Sequence, residues 1–214
     1  MHESDSMITV IGCGPGSRDY LTAAAVQAVA EAGVVIGPQK LINLFEQVPE
    51  RVVQSGKTSG HTLDIIKRYS EHDRVAVLVS GDPGCFSLSS LVVERFGLAR
   101  CRIIPGISSV QLGMSRLGLD WTGANIISVH GRSPDQAARS VCEHKPCVVL
   151  LGKDLHWLEP LLEQLLMCKI IYLMQNLGLS AETISTVGNM HDLKQPISPS
   201  ALLVVLQKQD CNRD

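Results

Sequence analysis

Three short glycine-rich segments hold most of the residues in this 214-residue chain whose type and spacing suit ligand chemistry. The first, Gly12-Cys13-Gly14-Pro15-Gly16-Ser17, follows an apolar run and precedes an alanine-rich stretch. As a dinucleotide fingerprint it fails twice. The third glycine of G-x-G-x-x-G would fall on Ser17, and the second strand ends Val35-Ile36-Gly37-Pro38 with no acidic residue to hold a ribose hydroxyl. Pro15 lacks an N–H, so the loop offers a phosphate fewer donors than a glycine cradle would. Its structural alternative is a tight strand-to-helix turn that needs positive φ. The second segment is Ser80-Gly81-Asp82-Pro83-Gly84, a turn by composition, in which Asp82 either caps the turn or faces a ligand. In the third, Pro105-Gly106-Ile107-Ser108-Ser109, two hydroxyls fall in the first turn of a helix. Capping accounts for one of them.

The elements that must position these loops are legible as a rhythm of apolar runs and amphipathic stretches. Strands are predicted at Ile8 to Ile11, Val34 to Ile36, Arg74 to Val79 and Arg102 to Ile104. Between them fall helices over Leu21 to Ala32, His61 to Tyr69, Leu88 to Phe96 and Ile107 to Leu117. These strands are rich in Val and Ile without polar alternation, which predicts a mostly parallel sheet covered on both faces. All three loops then lie at carboxyl ends of parallel strands, where open α/β sheets bind ligands. The turn Gly118-Leu119-Asp120-Trp121-Thr122-Gly123 breaks the pattern. It predicts one α/β domain over residues 7–117 and a second, richer in strands, over 118–208, with 1–6 a disordered lead-in and 209–214 a tail. The second domain has strands at Ile126 to Val129, Pro146 to Leu151, Lys169 to Met174, Glu182 to Val187 and Ala201 to Leu206. Its helices fall near Pro134 to Cys142 and Leu155 to Leu166.

Composition excludes several classes. Nineteen basic against 21 acidic side chains give no sequence-wide basic field, which argues against a duplex nucleic-acid binder. Apolar runs such as Val75 to Val79 fall far short of the ~20 residues that cross a bilayer, and the first residues are polar, so neither a span nor a signal peptide is expected. The seven cysteines are an odd number with no C-x-x-C pair. Cys142, His144 and Cys147 fall short of a tetrahedral zinc set, so no metal is expected. Reduced cysteines of this kind imply a cytoplasmic protein.

Val10-Ile11-Gly12-Cys13-Gly14-Pro15-Gly16, Ser80-Gly81-Asp82-Pro83-Gly84 and Ile104-Pro105-Gly106-Ile107-Ser108-Ser109, in that order, resemble the tetrapyrrole methylase family, S-adenosylmethionine enzymes that methylate corrin and sirohaem precursors. The resemblance runs from Ile8 to about Leu206. Within the family, Ile127-Ser128-Val129-His130-Gly131-Arg132 resembles the branch that methylates carbon 5 of cobalt-precorrin-7 in cobalamin biosynthesis. The resemblance implies two α/β domains with the cofactor folded into the cleft between them. It places contacts to S-adenosylmethionine, and to its product S-adenosylhomocysteine, on Pro15, Gly81, Asp82, Pro83, Ser108 and Ser109. Leu151 and Leu177 complete the set, where relatives often carry methionine and alanine. A homodimer is implied, as is a separate partner enzyme for the carbon 15 methylation and decarboxylation.

Methyl transfer to an enamine carbon draws its nucleophile from the substrate, which agrees with the lack of a Ser/His/Asp set or carboxylate pair. A corrin precursor carries many carboxylates, so cations should line its site. Arg132, His130 and Arg116 are the expected substrate contacts, with Arg18, Lys40, Lys57 and His61 as further candidates. His130, with an ordinary pKa of ~6.5, is also the candidate base. Uroporphyrinogen, a diphthamide precursor and ribosomal RNA are alternative substrates within the fold, RNA being disfavoured by only three Phe, two Trp and three Tyr. A non-catalytic tetrapyrrole-binding module and a nicotinamide oxidoreductase are the alternatives of another class.

Overall fold

The computed structural model describes residues 7–129, 133–152, 155–193 and 196–208. The expected lead-in over 1–6 and tail over 209–214 lie outside them. Contacts divide the chain into two units that meet between Ser108 and Ser109.

In the first unit β1 (Ile8–Gly12), β2 (Val34–Gly37), β3 (Val52–Gln54), β4 (Val75–Val79) and β5 (Cys101–Ile104) form one sheet in the order β3-β2-β4-β1-β5, every pair parallel. Helices α1 (Ala23–Ala30), α2 (Gln39–Ile42), α3 (Ser59–Tyr69) and α4 (Ser89–Phe96) connect the strands. Strand β4 is buried at every position, and its residues divide by parity. Ala76 and Leu78 join Ile11, Ala25, Val29 and Phe45 on the α1 and α2 face. Val75, Val77 and Val79 join Leu63, Ile66 and Val92 on the α3 and α4 face. Burial on both faces is why these strands read as unbroken apolar runs. Local chemistry starts the helices: the Thr22 hydroxyl accepts from the Ala25 N–H at 3.1 Å and that of Thr58 from the His61 N–H at 3.2 Å.

From β1 the chain passes β4 to reach β2, and from β4 it passes β1 to reach β5. The two connections cross opposite faces of the sheet, which puts its topological switch between β1 and β4.

The second unit begins with α5 (Ser109–Arg116) and contains α6 (Asp135–Cys142), α7 (Glu159–Cys168) and the strands β6 (Asn125–Ser128), β7 (Cys147–Leu150), β8 (Lys169–Gln175), β9 (Thr183–Thr186) and β10 (Leu202–Gln207). The sheet order is β6-β7-β10-β8-β9, with β6 parallel to β7 and the other pairs antiparallel. Strands β6, β7 and β8 consequently run the same way. Val149, Ile171, Leu173, Leu203 and Val205 pack with Ala137, Val141, Leu158 and Leu162 beneath α6 and α7. Helix α5 lies on the opposite face, where a Cβ on Gly113 would meet Met174 Sδ at 3.1 Å and Leu202 Cδ1 at 3.5 Å.

Two expectations are corrected here. The second half is not richer in strands, because each described sheet has five. Strand β3 is the one unforeseen: it is three residues long, exposed at both ends, and owes its extension to backbone pairing with β2. The division also falls before α5, ahead of the turn at Gly118. That turn exists, with Gly118 and Gly123 at φ of 65° and 79°, but the apolar face of α5 is already committed to the second sheet. Among the described residues no helix is long and apolar enough to cross a membrane.

Leu203 is fully buried in a strand flanked on both sides. Leu203→Ala is expected to cost ~2–5 kcal/mol of stability, measured by chemical denaturation.

Candidate functional site

The strand order sets β4, β1 and β5 side by side, so three loops far apart in sequence meet at one edge. They meet backbone to backbone. A Cβ on Gly106 would stand 2.4 Å from the Gly81 carbonyl oxygen and 2.8 Å from both the carbonyl carbon and oxygen of Gly12. One on Gly12 would stand 2.6 Å from the Gly106 nitrogen and 2.7 Å from Pro83 Cδ. No side chain fits at either position. Gly14 and Gly81 exchange two hydrogen bonds, the Gly14 N–H donating at 3.2 Å and the Gly81 N–H at 2.7 Å. Both glycines hold positive φ, 64° and 67°, which an L side chain rarely adopts. Pro15 sits half-buried just beyond, between Gly14 and Gly16.

Asp82 fastens the second loop to the third. Its Oδ1 accepts from the Gly84 N–H at 2.7 Å and its Oδ2 from the Gly106 N–H at 3.0 Å. Capping the turn is thus half of what the side chain does, and the other half is a bond across 24 residues of chain. Pro83 is buried, and its carbonyl accepts from the Ser89 hydroxyl at 2.6 Å. Ser108 is buried at the end of the third loop, and Ser109 is the first residue of α5.

A second edge forms in the second unit. Because β6, β7 and β8 run the same way, Ser128, Leu150 and Met174 stand level, and Leu151 and Leu177 follow just beyond them. Both leucines are buried, and the Leu151 N–H donates to the Ala201 carbonyl at 3.0 Å. His130 and Arg132 lie outside the described residues, in the segment that follows Val129. Arg116 ends α5 in a fork with Glu182, Nε to Oε1 at 2.7 Å and Nη2 to Oε2 at 3.2 Å. The fork takes Nε and Nη2, and the Arg116 side chain stays 38% exposed.

Glu182 also accepts from the Gly178 N–H at 2.6 Å. The Arg116 fork, chiefly, together with the Gly178 bond holds its carboxyl below the usual range. Around it, Asn176 at φ 52° accepts from the Ser198 hydroxyl at 2.7 Å, and Gln175 from the Ser198 N–H at 2.8 Å. Sequence reasoning missed this network. The Asn176-Leu177-Gly178 turn left a signal, but Glu182 is 66 residues from Arg116 and left none.

A model of the tetrapyrrole (corrin/porphyrin) methylases matches residues 7–193. The chain belongs to this family. Among relatives, the cobalt-precorrin-7 C(5)-methyltransferase of Salmonella typhimurium is 33% identical over 126 residues, 59% of this chain and 62% of its own length. The matched part therefore spans less than two thirds of that protein. Among solved structures, the precorrin-6Y methylase of cobalamin biosynthesis from Archaeoglobus fulgidus superposes with a TM-score of 0.73 at 22% identity, covering 95% of this chain and 99% of that one. The uroporphyrin-III C-methyltransferase of Thermus thermophilus, in complex with S-adenosylhomocysteine, gives 0.74 at 20% identity over 94% and 97%. At these identities the superpositions speak for the fold, and they agree with two α/β units.

The remaining cationic candidates share the carboxyl edge of the first sheet, because all five strands there are parallel. Arg18 meets Glu46 at 3.0 Å with both side chains well exposed, a pair of small energetic weight. Lys40, Lys57 and His61 are exposed. Burial pushes the Cys13 thiol from 9.0 up to about 12, and burial with the nearby Asp82 charge raises that of Cys85.

Gly106→Ala should destabilise the first unit by ~1–3 kcal/mol, whereas Gly60→Ala, which meets nothing within 4 Å on α3, should be neutral or stabilising; urea unfolding of both decides it. Iodoacetamide at mildly alkaline pH should label the exposed Cys142 and Cys168 and spare Cys13 and Cys147, read by peptide mass spectrometry. Cys147 is likewise pushed by burial to about 12. Below 9.0 both thiols stay protonated folded and unfolded. Above it the unfolded chain gives up these protons first, so stability should fall as pH climbs from 9.0 toward about 12.

Proposed function

We propose that this chain is an S-adenosylmethionine-dependent C-methyltransferase that methylates carbon 5 of cobalt-precorrin-7 in cobalamin biosynthesis. The observation that carries the reading is the joining of three glycine loops at the switch point of the first sheet, through contacts that only glycine permits. Family membership supports the methyl-transfer chemistry, and the name of the Salmonella relative supports the substrate and the carbon.

The residues present fit a sulfonium donor. Asp82 spends both carboxylate oxygens on backbone N–H groups, leaving the edge a surface of backbone and hydroxyl groups. Cys13 and Cys85 keep their protons, so no thiolate competes for the methyl group. The family resemblance supports Pro15, Gly81, Asp82, Pro83, Ser108, Ser109, Leu151 and Leu177 as the donor's contacts. When bound, S-adenosylmethionine supplies an electrophilic methyl on sulfur, and an electron-rich macrocycle carbon displaces it. The protein's task is to hold methyl and carbon ~3–3.5 Å apart and in line. Arg132 suits a bidentate grip on a substrate carboxylate, and His130 removal of the proton from the methylated carbon. The assembly we propose is a homodimer, with a separate enzyme for the carbon 15 methylation and decarboxylation.

Incubation with S-adenosylmethionine and cobalt-precorrin-7 should add one methyl group by mass spectrometry, at carbon 5 by NMR, with no product when enzyme is omitted. Binding of S-adenosylhomocysteine without methylation would move the substrate elsewhere in the family. Absence of both binding and methylation would overturn the reading.

A further inference from the structure

Helix α5 joins two of the segments expected to touch the donor. It opens at Ser109, directly after the third glycine loop, and closes at Arg116. Midway, a Cβ on Gly113 would approach Leu177 Cδ1 to 3.4 Å and Met174 Sδ to 3.1 Å, so the helix is seated on the end of β8 and on Leu177 itself. A side chain at 113 would press on Met174 and Leu177.

The turn after β8 needs holding. Asn176 and Gly178, on either side of Leu177, both adopt left-handed backbone, with φ of 52° and 76°. Asn and Gly tolerate that conformation at little cost, and bonds from neighbouring segments, the Ser198 hydroxyl to Asn176 among them, fix its place. The Asn176 amide donates to the Ala181 carbonyl at 3.3 Å, within the turn. Glu182 supplies the bond to the helix: one carboxylate takes both the Arg116 fork and the Gly178 N–H, at 2.6 to 3.2 Å. The pair is partly shielded, with side-chain exposures of 38% for Arg116 and 22% for Glu182, and its bidentate geometry fixes orientation as well as distance.

We propose that Glu182 is a positioning residue for the methyl donor. Its carboxylate locks the Leu177 turn to α5 and so sets the Leu177 backbone relative to Ser109, two contacts that one small ligand would need at a fixed spacing. This rests on the reading of the site given under the proposed function. An ion pair serving stability alone would treat the Gly178 bond as incidental. For positioning, the shared acceptor is the essential feature, because it couples helix to turn.

The test titrates the purified full chain with S-adenosylhomocysteine by calorimetry. Glu182→Gln keeps an oxygen for the Gly178 N–H but loses the charged fork, and should bind about tenfold more weakly, with hydrogen exchange quickened over residues 176–182. The exchanged pair Arg116→Glu with Glu182→Arg restores an ion pair yet leaves Gly178 without its acceptor. It should recover thermal stability without recovering affinity. Should Glu182→Gln fail to fold, Arg116→Gln, which frees the helix end and keeps the Gly178 acceptor, carries the same expectation of weakened binding. Wild-type affinity in Glu182→Gln, or full recovery of affinity in the exchanged pair, would overturn the proposal while sparing the functional reading. Failure of the wild-type chain to bind S-adenosylhomocysteine would overturn both.

Discussion

The close approach of Gly12, Gly81 and Gly106 is the constraint on which the rest of the first unit's edge depends. Three strand-end loops can share so small a space only if no Cβ intervenes, and the distances of 2.4 to 2.8 Å that a Cβ would face at Gly106 leave no room for relaxation into backbone. Once the loops are that close, their polar groups must be satisfied among themselves. The Gly14–Gly81 bridge and the Asp82 bonds to Gly84 and Gly106 do this. The result is an edge whose backbone is pre-set, and pre-set backbone binds a ligand without the entropy loss of ordering a loop.

Preorganisation of this kind suits the proposed chemistry. Where the substrate brings the nucleophile and the donor brings the electrophile, a protein gains little from an ionised side chain at the reacting centre and much from fixed position. Asp82, the one carboxylate in the three loops, is consumed by backbone, and the neighbouring thiols are held neutral by burial. In the second unit the same logic recurs with charge in place of glycine. There the turn that holds Leu177 adopts left-handed backbone at two positions and is tied down from outside by the Glu182 carboxylate.

Much of this edge was legible in the chain before any fold was known. Glycine and proline at strand ends announce turns by local sterics, and the Val and Ile runs announce strands buried on both faces. What such local rules miss are elements with no local signature. Val52–Gln54 is a strand because β2 pairs with it, and α5 belongs to the second unit because Gly113 admits Met174, Leu177 and Leu202 to its surface. Arg116, expected as a substrate contact, also pairs with a carboxylate 66 residues away that no local signal announced.

The sequence by itself determined most of the element types, the parallel first sheet, the three loops and the family, since each follows from residue type within a few positions along the chain. Only the tertiary structure decided that Asp82 spans two loops, that Leu151 and Leu177 turn their side chains into the core, and that Glu182 joins a helix end to a turn. These are pairings between residues distant in sequence, and their partners are chosen by strand order and packing, which short-range chemistry does not encode.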